Sequence, residues 1–175
     1  MNRKFVSLLG MSLIFICIGA QAHAATITND EQIAAVVMAA NASEINAGKL
    51  AESKGNNTEV KQFAQKMVTD HSKMNESAAA LAQKTNMKPE DNEISKSLKA
   101  DSAETMKKLQ GLSGAAFDKA YVDSQVNAHE TVLNTFDSTL IPNAKNAELK
   151  DMLEKGRPQI AAHLQQAINI QKAVR

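Results

Sequence analysis

From about residue 25 to the end, the apolar residues of this chain recur at alternating spacings of four and three, and glycine and proline are confined to a few positions. That periodicity matches one face of an α-helix and is incompatible with the alternation of a half-buried strand. The residues between are mostly Ala, Lys, Glu and Gln, all good helix formers, so the pattern predicts helices throughout. Punctuation divides them. Thr28 with Glu31 reads as a capping box opening a first helix, which Gly55-Asn56-Asn57 stops after Lys54. A second helix is expected from about Thr58 to Thr85, ending before Pro89. A weaker segment from about Glu90 to Leu109 reads as a shorter helix or crossover, closed by Gly111. Ser113-Gly114 is expected to cap a helix reaching Leu140, Pro142-Asn143 to make a turn, and a last helix to run from about Ala144 to Val174. Pro158 should kink or break that last helix, because it removes the hydrogen bond to the carbonyl of Glu154. The bend either wraps the helix around the core or aims His163 into a site.

The N-terminus is different in kind. Arg3 and Lys4 precede an apolar run from Phe5 to Ala20 and then Ala22-His23-Ala24, the order of a secretory signal. Residues 1–24 therefore read as a cleaved signal peptide and residues 25–175 as one helical domain, periplasmic or secreted, with no transmembrane segment left after cleavage. Cys17, the one cysteine, leaves with the signal, so stability must come from packing alone. Of 20 basic residues, Arg3 and Lys4 leave too, which sets 18 against 19 acidic ones. No basic surplus remains to attract phosphates, and Trp is absent, so nucleic acid is excluded as a natural partner. Protein partners and oligomeric state are not legible.

The apolar stripes carry the functional signal. The first helix reads Ile33, Val37, Ala40, Glu44, Ala47, Ala51, and the second Val60, Ala64 (or Phe63), Met67, His71, Met74, Ala78, Leu81. The fourth reads Val122, Val126, His129, Leu133, Phe136, Leu140, and the last Leu149, Leu153, Gly156, Ile160, His163, Ala167, Ile170. Each seam is interrupted once by an ionisable residue. Buried-type positions make up roughly 3/7 of a helix, so chance would put all three remaining histidines there only about 8% of the time. Depth gives a second test. Measured from the first turn, Glu44 and His71 differ by about three residues, roughly 4 to 5 Å of rise. Measured from Leu140 and Ala144, His129 and His163 differ by about eight residues, roughly 12 Å, which a start nearer Ala147 would reduce to roughly 7 to 8 Å. Buried imidazoles and a carboxylate need partners. Two arrangements satisfy them: a hydrogen-bonded polar layer, with Tyr121, Asp118 or Asp70 nearby, or a metal on His71, His129 and His163 with Glu44 as fourth ligand or supporting partner. No cysteine nucleophile and no Gly-x-Ser-x-Gly turn is present, so covalent catalysis lacks its apparatus and an enzyme is the weakest reading.

The stretches Lys61-Gln62-Phe63-Ala64 through Asp70-His71, Phe117-Asp118-Lys119-Ala120-Tyr121 through His129, and Arg157-Pro158-Gln159-Ile160 through His163 resemble an exported bacterial family, domain of unknown function 4142. The resemblance covers essentially the whole mature chain. It implies a ferritin-like helical bundle and no established activity; with the helices read above, the expected fold is all-α, a ferritin-like four-helix bundle with an additional short connecting helix. Members are often described as outer-membrane proteins, a label that fits poorly with helices, since proteins spanning that membrane are barrels. Ferritin-type di-iron sites place a Glu three residues before each ligand histidine. Val68, Val126 and Ile160 occupy those positions here. A single ion held by imidazoles is the better form of the metal reading, and such a ligand set suits zinc, copper or nickel.

Overall fold

The computed structural model describes Ile27 and residues 29–174. The signal peptide read from residues 1–24, and Thr28, lie outside them. Six helices follow in order: α1 (Asp30–Lys54), α2 (Thr58–Lys84), α3 (Glu93–Gln110), α4 (Gly114–Thr135), α5 (Ile141–Asn143) and α6 (Ala147–Ala173), with a π-helical segment, Phe136–Leu140, joining α4 to α5. No strand occurs among the described residues. The all-α bundle expected from the periodicity is what forms.

The helix ends follow from asparagine more than from the residues the sequence suggested. Asn29 caps α1 by accepting from Gln32 N. Asn57 and Asn146 cap α2 and α6 likewise, each accepting from the N–H groups two and three residues on. Asn92 and Ser95 form a reciprocal capping box on α3. Ser113 stands at the N-cap of α4 but makes no side-chain capping bond. Such caps satisfy N–H groups that have no partner inside a helix. Pro142 does not make the turn. It lies in the short segment α5 that continues the helix past the π segment, and the chain turns at Ala144 to Asn146 instead. Pro158 does not break α6, which runs through it without interruption.

Four long helices form the bundle and α3 is the crossover. Glu90 N donates to Glu31 O and Asn92 Nδ2 to Gln32 O, which places the start of α3 beside the start of α1. Lys54 Nζ reaches the carbonyls of Leu109 and Gln110, which places the two ends together. Helix α3 therefore runs parallel to α1 and returns the chain to the far end. The order up, down, crossover, down, up is that of a bundle with one long connection, as in ferritin-like folds.

Two aspartates tie the halves. Asp118, at the start of α4, accepts from Asn56 N and Asn57 N in the α1–α2 turn. Asp30, at the start of α1, accepts from Lys145 N and Asn146 N in the α5–α6 turn. Each hairpin's first helix thus clamps the other hairpin's turn, at opposite ends of the molecule.

The core is split. One apolar cluster contains Ala47, Ala51, Phe63, Met67, Phe117, Tyr121, Ala167 and Ile170. The other contains Ile33, Val37, Ala78, Phe136, Leu140, Leu149, Leu153 and Ile160. Along each long helix the residues between the two clusters are polar and buried: Asn41 and Glu44 on α1, His71 on α2, Gln125 and His129 on α4, His163 on α6.

Candidate metal centre

The four interrupted seams meet in one layer. One ring nitrogen from each of His71, His129 and His163 lies within 4.8 Å of the others. The ring centroids are 5.2 Å apart for His71 and His163, 5.6 Å for His129 and His163, and 5.7 Å for His71 and His129. The depth mismatch expected between His129 and His163 is removed by where the turn falls. His129 lies 14 residues before Asn143 and His163 lies 16 after Ala147, a difference of about 3 Å in helix rise.

Every ring is held by one nitrogen. His71 Nδ1 lies 3.0 Å from Asn41 Oδ1, His129 Nδ1 lies 2.9 Å from the Gln125 carbonyl one turn back, and His163 Nε2 lies 2.9 Å from Asp70 Oδ2. All three partners are oxygen acceptors, so each of those nitrogens carries the proton and donates. The other nitrogen of each ring must then present a lone pair. Those atoms, His71 Nε2, His129 Nε2 and His163 Nδ1, are buried and have no hydrogen-bond partner. Three buried ring acceptors in one layer have no donor turned to them, which is costly for a purely hydrogen-bonded layer and is the ligand set of a cation.

The electrostatics favour the neutral form of His71 and His163. Burial lowers His71 to about 3, and the neighbouring His129 and His163 add to the effect. Burial also lowers His163, against the pull of Asp70. Asp70 itself is pushed up by burial, but hydrogen bonds from Lys66, His163 and Gln159 outweigh that and hold it at about 2. It is an ionised carboxylate orienting a neutral imidazole, an arrangement common behind metal-bound histidine.

Glu44 is not a member of this close group. It is buried in the same layer, with a hydrogen bond from Gln125 and Oε2 unpartnered. Burial raises its pKa against the opposing influence of His129 and Gln125. Its carboxylate is not among the mutually close ligand atoms, which come from the three histidines alone. Of the other groups considered from sequence, Asp118 serves the α1–α2 turn and Tyr121 lies buried in the apolar cluster with its Oη unpartnered, while Asp70 is the one that meets a ring. Asn41 and Gln125 were missed. Both are neutral residues at seam-adjacent positions, and their only signal was amide side chains on otherwise apolar faces.

A family model described as Domain of unknown function (DUF4142) matches residues 18–170. No curated protein and no solved structure matches the chain.

Proposed function

The chain belongs to the Domain of unknown function (DUF4142) family, and we propose that this member is an exported, periplasmic protein that binds one transition metal ion on His71, His129 and His163. The observation that carries the reading is that three buried histidines from α2, α4 and α6 each bring a ring nitrogen within 4.8 Å of the others, while each ring has one nitrogen anchored on an oxygen acceptor and the other without a partner. Anchoring one nitrogen fixes the tautomer and aims the lone pair of the other, which is how proteins prepare imidazole ligands. Three imidazoles suit zinc, copper or nickel. The ion would supply Lewis acidity and a positive charge between two apolar clusters. Asn41, the Gln125 carbonyl and Asp70 hold the rings. Glu44 supports the layer and is outside the ligand set.

Export is supported by Arg3 and Lys4, the apolar run and Ala22-His23-Ala24. No helix among the described residues is long and apolar enough to cross a membrane. Mass spectrometry of protein recovered from the periplasm is expected to place the N-terminus near Ala25; intact Met1 in that material would refute cleavage.

Metal binding is tested by calorimetric titration of chelator-treated protein with zinc, copper and nickel, repeated on the three single His→Ala variants. Micromolar or tighter binding that is lost in each variant is the expected result. Absence of binding at neutral pH, or binding that survives His129→Ala, would return the layer to the alternative reading, a structural or envelope-stress interaction protein with a polar core.

A further inference from the structure

A cavity of about 420 Å³ opens beside the histidine layer. His71, His129, Asn41 and Glu44 form its inner end, and exposed Lys73, Ser77, Asp151 and Lys155 surround its mouth between α2 and α6. Val37, Phe136 and Ile160 give it apolar walls. Its volume falls within the range of roughly 300–1,000 Å³ usual for small-molecule sites.

Three features of the cavity and its inner end point to a ligand. First, three histidines leave a four-coordinate ion with one position to fill, and Asp70 is already engaged by His163 and Lys66. Secondly, two side chains lining the cavity are more than nine-tenths buried and each has an unpartnered polar atom, Asn41 Nδ2 as a donor and Glu44 Oε2 as an acceptor. Thirdly, Gly156 lines the cavity from the interior of α6, where glycine costs a helix about 1 kcal/mol relative to alanine. A Cβ added there would meet no atom within 4 Å, so packing against a neighbouring helix does not explain the glycine. Any larger residue would intrude on open space beside the cavity.

We propose that the cavity binds a small amphipathic molecule, an azole in its simplest form, whose nitrogen completes the metal's coordination while its N–H meets Glu44 and its apolar body lies against Val37, Phe136 and Ile160. The proposal rests on the metal reading above. A neutral ligand with a lone pair and an N–H matches what the inner end offers: an open metal position and an acceptor. Asn41 Nδ2 remains available to any acceptor group the ligand carries.

Cobalt(II), whose visible bands report coordination, separates the two readings. Purified protein loaded with cobalt is titrated with 4-phenylimidazole and with imidazole, and retained cobalt is measured after gel filtration. Bands that shift with cobalt retained, at least tenfold more tightly for 4-phenylimidazole, are the expected result. In Gly156→Leu, cobalt binding should persist and the tenfold preference should disappear. Cobalt bound with bands that neither ligand moves would overturn the cavity proposal and leave the metal site standing. Equal affinity for both ligands, or a shift that accompanies cobalt loss, would overturn it too. Failure of wild-type protein to bind cobalt, zinc, copper or nickel would remove both readings.

Discussion

Asp70 shows how one side chain can serve a site without entering it. Its Oδ2 accepts from His163 Nε2 and from Lys66 Nζ, so the carboxylate stays ionised and the imidazole stays in the tautomer that frees Nδ1. Replacing it by asparagine preserves the shape and removes the charge. Asp70→Asn is expected to weaken metal affinity about 10- to 100-fold in a competition titration, while far-ultraviolet dichroism stays helical. An unchanged affinity would show that Asp70 does not orient the ring. His71 has a different consequence, for the metal-free protein. Its folded pKa of about 3 lies below the reference of about 6.5 for a free imidazole. Between those values the unfolded chain binds a proton that the folded chain refuses, so this residue's contribution is complete above about pH 6.5 and is lost as pH falls toward 3. Urea midpoints of chelated protein are expected to fall between pH 7 and pH 5, and to fall less in His71→Leu. Equal slopes in the two proteins would contradict the assignment.

At the scale of the helix, two glycines make opposite demands. Gly48 faces α2 so closely that an added Cβ would lie 2.8 Å from Val68 Cγ2 and 3.1 Å from the Ala64 carbonyl. Gly156 meets nothing. Gly156→Ala should therefore stabilise the protein by up to about 1 kcal/mol, the intrinsic helix preference, while Gly48→Ala should destabilise it by forcing α1 away from α2. Thermal melts of the pair decide this, and a common sign would refute it. The π segment at Phe136–Leu140 is the other element-scale feature. The N–H of Ile141 bonds to the Phe136 carbonyl five residues back, and the segment buries Phe136 and Leu140 while Leu133, one turn earlier, is only half-buried. The regular seam drawn through Leu133 does not survive as a fully buried stripe: Leu133 packs at the edge of the cluster that holds Phe136 and Leu140.

For the whole molecule, packing and the aspartate clamps share the work of holding two hairpins in register. Leu153 is 1% exposed within one apolar cluster, and Leu153→Ala should cost about 2 to 5 kcal/mol in chemical denaturation. Leu133→Ala should cost less, since Leu133 packs on the edge of the same cluster. Asp118→Ala removes two hydrogen bonds to a charged acceptor and leaves the α1–α2 turn without its anchor on α4. A loss of about 2 to 4 kcal/mol is expected, and a change below about 0.5 kcal/mol would mean that solvent replaces the clamp readily.

The helices, their approximate ends and the burial of His71, His129, His163 and Glu44 were legible in the linear order, because a 3.6-residue period makes the apolar face of each helix a local property. Family membership was legible for a related reason: the motifs around Asp70-His71, Tyr121 to His129 and Pro158 to His163 keep their spacing along the chain. What lay beyond the sequence was every relation between helices. The choice of Ala144 to Asn146 over Pro142 as turn shifted the start of the last helix by a few residues and brought His129 level with His163. That Asp70 meets His163 across 93 residues, that Asn41 holds His71, and that Glu44 stands outside the triad all depend on side-chain directions fixed only when four helices pack. A seam position says that a side chain points inward; the crossing of the helices decides what it meets there.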